Sequence, residues 1–119
     1  MEILLKRVYD SSLPAGFRIL ADRLWPRGVK KETLTLDVWA KEIAPSTSLR
    51  KAYHQNADYQ SFKKLYTKEL QQNPVLNDFL KSIRRQEVVV LLTASKIIEK
   101  SALPILKEVL QERLLLETT

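Results

Sequence analysis

Three segments of the chain have the apolar, β-branched pattern of strands. Residues 3–8 and 17–21 are short, whereas residues 88–93 (Val-Val-Val-Leu-Leu-Thr) are continuously apolar. Such a run predicts a strand buried on both faces, as the central strands of parallel sheets are. The connection between the first two strands is shorter than a parallel crossover usually is, so spacing alone favours an antiparallel hairpin there.

Apolar residues at intervals of three and four predict helices through most of the remaining chain. The clearest helix follows Asp58, and its inward face is Tyr59, Phe62, Leu65, Tyr66 and Leu70. Residues suited to capping mark the predicted helix starts, namely Asp37, Ser46 or Thr47, Asp58, Asn73 and Ser101. The helix capped by Asp37 is expected to contain Val38, Trp39 and Ile43. At Asn73 the next residue, Pro74, suits a first helical position.

Composition excludes several kinds of chemistry. The 119 residues include no cysteine and one histidine, His54, which excludes disulfides, thiolate sites and any site with two imidazoles. With only Gly16 and Gly28, a glycine-rich phosphate loop is also excluded. We therefore expect no metal and no cofactor. No apolar run approaches the roughly 20 residues that span a bilayer, and no signal peptide is apparent, so a cytoplasmic protein without a membrane partner is expected.

The net charge suggests an anionic partner without locating it. Twenty Lys and Arg against fourteen Asp and Glu give +6, and residues 1–60 and 61–119 each contribute +3. The chain therefore has no basic arm or tail. Lys63, Lys64 and Lys68 share one predicted helix, which suits nucleic acid but also an ordinary solvated helix face.

The segment that follows the second strand has unusual content. Residues 22–28 read Asp-Arg-Leu-Trp-Pro-Arg-Gly. Pro26 ends the strand because proline cannot donate a ladder hydrogen bond, and Gly28 allows a positive φ. The sequence predicts a rigid loop with two arginines around a tryptophan.

Several stretches resemble the bacterial YeaO-like family, a domain of unknown function. Residues 22–30 and 36–51 are the most specific, and residues 6–10, 52–54 and 90–96 are also similar. The resemblance implies a small cytoplasmic α/β protein whose first two strands are parallel, against the hairpin that spacing favours. Family members typically have an Asn-His pair opening the last helix, whereas residues 97–102 here contain neither. If that pair contributes to a site, this chain is altered or inactive there.

The combined expectation is an α/β fold with a small, mostly parallel three-stranded sheet packed with about five helices. Residues 1–119 would form one domain. Ligands of open α/β sheets bind beyond the carboxyl ends of the strands. The candidate ligand-binding residues near that edge are Arg7, Asp10, Asp22, Arg23, Trp25, Arg27, Ser95 and Lys96.

These side chains favour binding of an anionic small molecule, such as a nucleotide or a phosphate ester. Arginine grips planar anions through two hydrogen bonds, lysine adds a point charge, and Trp25 would stack on a ring. Whether the protein is an enzyme is left open. As a general base, His54 would need a carboxylate and a nucleophile within reach, and no nucleophile motif is present.

Structural interpretations compete with this site. Arg7, Asp22, Arg23 and Asp37 could form an ion-pair network that only fixes the loop. Trp25 could fill a core, as Trp39 is expected to do. Two other functions also stay open, a nucleic-acid-binding or regulatory module and an interaction protein that forms a homodimer through an apolar helix face.

Overall fold

Four parallel strands form the centre of the molecule in a computed structural model that describes residues 1–117. They are β1 (Glu2–Arg7), β2 (Phe17–Leu20), β3 (Val38–Trp39) and β4 (Val88–Thr93). Their order across the sheet is β1-β4-β2-β3, and every neighbouring pair is parallel. All four carboxyl ends therefore lie at one edge.

The central strand β4 is buried on both faces, as its apolar run predicts. Val89 and Leu91 belong to the larger core, and Val90 and Leu92 belong to a second, smaller core on the opposite face. All four residues are fully buried. Because strand side chains alternate between faces, an uninterrupted apolar run is what two covered faces require.

Four α-helices follow or precede the strands. They are α1 (Thr47–Asn56), α2 (Tyr59–Gln72), α3 (Leu76–Ile83) and α4 (Leu103–Glu117). Single 3-10 turns lie at Lys41–Ile43 and Ile98–Lys100. None of the helices between residues 1 and 117 combines the length and apolar character that crossing a bilayer requires.

Three of the predicted capping residues act at helix starts as expected. Ser46 Oγ accepts a hydrogen bond from the N–H of Leu49, and Asp58 accepts one from the N–H of Ser61. Ser101 Oγ accepts from the N–H of Leu103 at the first residue of α4. These bonds satisfy N–H groups that have no partner within a helix.

The expected three strands and about five helices are corrected to four strands and four α-helices. The difference lies at Asp37, which does not cap a helix but accepts a hydrogen bond from the N–H of Arg18. Val38 and Trp39 form β3 instead, and a 3-10 turn follows. β-branched and aromatic residues suit an edge strand beside β2, and that pairing outweighs the local helical pattern.

The antiparallel hairpin favoured by spacing is wrong, and the parallel arrangement implied by the family resemblance is confirmed. β1 and β2 are not neighbours, because β4 lies between them and pairs in parallel with both. The loop that joins them is held by Arg18, which donates to the carbonyls of Leu13 and Pro14. Gly16 passes so close to β4 that an added Cβ would lie 2.9 Å from a Val88 methyl.

The start of α3 also differs from expectation. The helix begins at Leu76, two residues after Pro74, rather than with proline in its first position. Asn73 still organises this start, because its side-chain oxygen accepts a hydrogen bond from the N–H of Val75.

The two faces of the sheet are covered differently. The helices pack over the larger core, whereas the smaller core is covered by the irregular segment 24–36 together with Trp39. Trp25 and Trp39 meet edge to face there, with ring centroids 5.3 Å apart. The arginine-containing loop is thus anchored to the sheet through its own tryptophan.

Candidate functional site

A groove of about 770 Å³ lies at the carboxyl edge of the sheet. Its walls are the segment 22–27, one face of α1 with the start of α2, and residues 93–102. We call it the carboxyl-edge groove. Of the eight candidate residues, six line it, namely Asp22, Arg23, Trp25, Arg27, Ser95 and Lys96.

Arg7 and Asp10 are not among the residues that line the groove. Arg7 Nε donates to the carbonyl of Ser95 at 2.8 Å, and its backbone N–H donates to the carboxylate of Asp10. The Arg7 guanidinium also lies 5.2 Å from the centre of the Tyr9 ring. These contacts fasten the end of β1 to the loop after β4, behind one wall of the groove.

Asp22 forms the floor of the groove, between the ends of β2 and β4. Its carboxylate accepts hydrogen bonds from Thr93 Oγ1 at 2.8 Å and from the N–H of Ala94 at 2.7 Å. Burial raises the pKa of the Asp22 carboxyl above its ordinary value, and these two bonds and the charge of Arg50 offset part of that rise. Asp22 therefore joins two strand ends.

Arg23 joins the loop to the segment before α1. Its guanidinium donates to the carbonyls of Pro45 at 3.0 Å and Ala44 at 2.9 Å. Both acceptors are neutral, so the positive charge of Arg23 is not cancelled by a carboxylate. The residue positions the chain and adds charge to the groove.

Trp25 packs against the smaller core and also borders the groove. Its indole N–H donates to the carbonyl of Val29 at 2.7 Å, and its ring packs against the smaller core. It is half-buried and also lines the groove. Gly28 closes the loop with φ +77°, in the region that favours glycine.

The ion-pair network considered for this loop does not form. Within residues 1–117 the structure has two ion pairs, Lys63–Glu108 and Arg84–Glu117, and both lie outside the groove. Arg7 and Arg23 bind backbone carbonyls, and Asp22 and Asp37 accept from uncharged donors. The loop is fixed by hydrogen bonds, which leaves its arginine charges without carboxylate partners.

Sequence reasoning missed the wall that α1 contributes. Arg50, Tyr53 and His54 of α1 line the groove, together with Ala57, the residue after the helix ends. Spacings of three and four residues from Arg50 place Tyr53 and His54 on its face of the helix. The signal was present in the sequence, but nothing local indicates that this face meets the ends of β2 and β4.

Cationic side chains dominate the carboxyl-edge groove. Among the described residues that line it, five are cationic and one, Asp22, is acidic. The cations are Arg23, Arg27, Arg50, Lys96 and Lys100. Apart from Arg23, their side chains make no hydrogen bond or ion pair within residues 1–117. The groove thus has a formal charge of +4 and several unused donors.

The groove contains no arrangement suited to a metal ion. Residues 1–117 include no cluster of three or more His, Asp or Glu side chains that could hold one. Among its other polar groups, the hydroxyls of Thr93 and Ser95 lie 3.3 Å apart, and the N–H of Ser95 donates to Thr93 Oγ1.

Comparison with known proteins places the chain in a family. A model of the inactive DUF488-N3 subclade matches residues 2–119. The chain belongs to this family. The resemblance to YeaO-like proteins is confirmed as well, because the chain is 48% identical over 98 residues to the uncharacterized protein YeaO of Escherichia coli strain K12. That match covers 81% of this chain and 85% of YeaO.

Mycobacterial proteins are also similar to this member of the DUF488-N3 subclade. It is 33% identical over 109 residues to the uncharacterized proteins Rv3073c of Mycobacterium tuberculosis and Mb3100c of Mycobacterium bovis. Each match covers 90% of this chain and 92% of the relative. No solved structure matches the chain significantly.

The segment in which the resemblance leads us to expect an Asn-His pair borders the groove, because Ser101 and Ala102 line it. The hydroxyl of Ser101 donates to the carbonyl of Ile98 and accepts a hydrogen bond from the N–H of Leu103 at the start of α4. This hydroxyl is therefore already used within the wall.

Proposed function

We propose that the carboxyl-edge groove binds an anionic small molecule, a nucleotide or a phosphate ester, without chemical conversion. One observation supports this above the others: five cations line the groove, and none of them is in an ion pair with another of the described residues, 1–117. Five cations gathered around a single carboxylate, Asp22, repel one another, and a bound anion relieves that repulsion.

Arg50 and Lys96 are the central residues of this proposal. Both are exposed side chains that line the groove without a hydrogen-bond partner. A guanidinium offers two parallel donors to a phosphate and an ammonium offers a point charge, and such charge-assisted bonds are about twice as strong as neutral ones. Arg23 and Arg27 add charge from the wall formed by segment 22–27.

The hydrogen bonding of Asp22 and His54 supports binding of a ligand without its chemical conversion. Both oxygens of Asp22 already accept hydrogen bonds, from Thr93 and from Ala94. The imidazole of His54 makes no hydrogen bond to a carboxylate that would orient it as a base. The description of the family as inactive agrees with a role in binding.

The size of the groove suits a ligand larger than a single phosphate. Pockets for small molecules commonly measure about 300–1,000 Å³. The groove, at about 770 Å³, lies within that range. Its aromatic and apolar wall provides surface for the rest of such a molecule.

Isothermal titration calorimetry with inorganic pyrophosphate at low ionic strength tests the proposal. We expect measurable binding that weakens as salt is added, because the attraction is electrostatic. Arg50→Gln should weaken it about 10-fold or more, since one charge-assisted contact is lost. Lys64→Gln removes the same charge from an exposed position on α2 and should change the affinity less than about two-fold.

Two results would contradict the proposal. One is the absence of binding at millimolar pyrophosphate. The other is an equal loss of affinity in Arg50→Gln and Lys64→Gln, which would show a general charge effect rather than a site. Thermal unfolding of each variant controls for damage to the fold.

A further inference from the structure

Three aromatic rings of the larger core form a continuous stack that ends at the carboxyl-edge groove. Tyr66 and Phe62 are buried on α2, with ring centroids 5.9 Å apart and planes 20° from parallel. Tyr53 of α1 lies on Phe62 at 4.4 Å and 12°. Tyr53 is half-buried and lines the groove, as Phe62 does, so the stack reaches the groove.

The outermost ring of this stack is held in place. The hydroxyl of Tyr53 donates to the carbonyl of Lys100 at 2.9 Å. Beside it, Tyr59 donates to the carbonyl of Ser101 at 3.1 Å, and its ring lies tilted 5.9 Å from that of Tyr53. Because the hydroxyl is already used and one ring face is covered by Phe62, what Tyr53 offers a ligand is its remaining face.

A cation that makes no side-chain hydrogen bond or ion pair within residues 1–117 adjoins this ring on the same helix. Arg50 precedes Tyr53 by three residues, and side chains at that spacing are neighbours on a helix face, with Cβ atoms about 5–6 Å apart. Arg50 also acts electrostatically on Asp22, which places its charge toward the ends of the strands. A ring-binding surface and an anion-binding group thus lie side by side.

We propose that Tyr53 is the stacking platform for the base of a nucleoside phosphate whose phosphate is held by Arg50 and Lys96. This inference rests on the proposed anion binding and narrows it from phosphate esters in general to nucleotides. A rigid, preoriented ring binds a base at little entropic cost, and stacking tolerates any base because each has a flat face. The sugar spans the distance between the ring and the cations.

The experiment compares ligands that differ by the base alone. Calorimetry measures adenosine monophosphate against ribose 5-phosphate, both carrying the same phosphate. We expect the nucleotide to bind about 5- to 150-fold more tightly, the range given by one base–aromatic stack. Uridine monophosphate should also exceed ribose 5-phosphate, by a smaller factor because a pyrimidine has a smaller face.

Two variants of Tyr53 separate the ring from its hydroxyl. Tyr53→Leu should reduce adenosine monophosphate affinity to that of ribose 5-phosphate and leave ribose 5-phosphate unchanged. Tyr53→Phe keeps the stacking ring and loses only the bond to Lys100, so its preference for the nucleotide should persist. For the unmodified protein, proton NMR should show the base protons of bound nucleotide shifted upfield by the ring current, which requires no variant.

Different outcomes of these experiments contradict the stacking role of Tyr53 and the binding of anions in the groove. Equal affinities for the nucleotide and ribose 5-phosphate, or bound nucleotide without an upfield shift, would overturn the stacking role and leave anion binding standing. Failure of both ligands and of pyrophosphate to bind would overturn both proposals. If a single-stranded oligonucleotide binds ten-fold more tightly than the mononucleotide, the groove is a nucleic-acid site, and the proposed nucleotide binding at Tyr53 is overturned.

Discussion

Two cationic regions of the molecule differ in how their charges are assembled. Lys63, Lys64 and Lys68 lie within six residues on α2, where the sequence looks most basic, yet Lys63 lies 3.4 Å from the carboxylate of Glu108 on α4. The cations of the carboxyl-edge groove come from segments far apart in the chain and form no ion pair within residues 1–117. Charge density along the sequence and charge density in the fold are therefore different quantities.

The surroundings sharpen this contrast. The α2 lysines are on a helix surface, where solvent and salt screen their charges within about 10 Å. The groove is concave and bordered by protein, which concentrates the field of its cations and favours a small anion. If the protein binds nucleic acid instead, the surface of α2 that carries these lysines is the expected contact surface.

The largest expected effect comes from removing three charges from each region in turn. Replacing Arg27, Arg50 and Lys96 together with Gln should lower pyrophosphate affinity about 1,000-fold, at roughly 1.4 kcal/mol for each charge-assisted contact. Replacing Lys63, Lys64 and Lys68 together with Gln should lower it less than about three-fold. Calorimetry measures both. The comparison fails if the α2 variant loses pyrophosphate affinity and also abolishes a retarded band with DNA at low salt.

A second effect concerns stability at the groove floor. Thr93→Val removes the hydroxyl that donates to Asp22 and keeps the shape of the side chain. We expect a loss of about 1–3 kcal/mol in the free energy of unfolding, because Thr93 is buried and the carboxylate loses a donor. Urea denaturation measures it.

The matched control for Thr93 lies on α2. Ser61→Ala removes a hydroxyl that donates to Asp58 at 2.8 Å on an exposed surface. Its cost should stay below about 0.5 kcal/mol, since water replaces the lost bond. Equal costs for the two variants would show that burial at the strand ends adds nothing to the Asp22 contact.

Arg23→Lys separates geometry from charge. Lysine cannot donate to the carbonyls of Ala44 and Pro45 in the same fork, so we expect about 1–2 kcal/mol lower stability by urea denaturation. The charge is kept, so pyrophosphate affinity should change less than about three-fold. Arg84→Lys, at the exposed ion pair with Glu117, should cost less than about 0.5 kcal/mol. A large loss of affinity with unchanged stability would mean that Arg23 contacts the ligand directly.

The smallest effect is a dependence of binding on pH. Burial raises the pKa of Asp22, so acidification neutralises this carboxylate at a higher pH than an ordinary aspartate. Removing that negative charge removes repulsion of a bound anion, so sulfate affinity should rise about two- to five-fold as pH falls through the raised pKa. Sulfate is the probe because its own charge stays constant.

The pH measurement uses one parent variant and a second variant built on that parent. His54 also lines the groove, so His54→Gln is the parent variant and the comparison is confined to Asp22. Adding Asp22→Asn to it should remove the remaining pH dependence. The Asn oxygen can still accept from the N–H of Ala94, and its amide N–H can donate to Thr93 Oγ1 in place of the bond that Asp22 accepts. A dependence that persists in the double variant would assign the titration to another group.

The sequence predicted the parts of the fold that depend on local pattern. β4 lies where the continuous apolar run placed it, and Ser46 and Asp58 cap their helices as their side chains indicate. The prediction failed at Val38 and Trp39, where a helical pattern gave way to pairing with β2. Such pairing depends on a strand that is distant in sequence, and a local pattern of residues does not indicate where that strand lies.

The candidate site shows the same division. The rule that ligands bind at the carboxyl ends of strands placed Asp22, Arg27 and Lys96 at one edge, and all three line the groove. Arg50 and Tyr53 were missed because the orientation of α1 relative to that edge follows from tertiary packing. The hydrogen bonds of Arg23 to Ala44 and Pro45, which set that orientation, join residues that share no periodicity.

The position of β4 also determines when the sheet can form. During synthesis β1 and β2 leave the ribosome long before β4, and they do not pair with each other. Glu2 pairs with Val88 and Phe17 pairs with Val89. The hydrogen bonds at the centre of the sheet can therefore form only after about three quarters of the chain has been synthesised. Folding is therefore governed by contacts distant in sequence, which slow it. A chain ending before residue 88 would have no partner for its first strand.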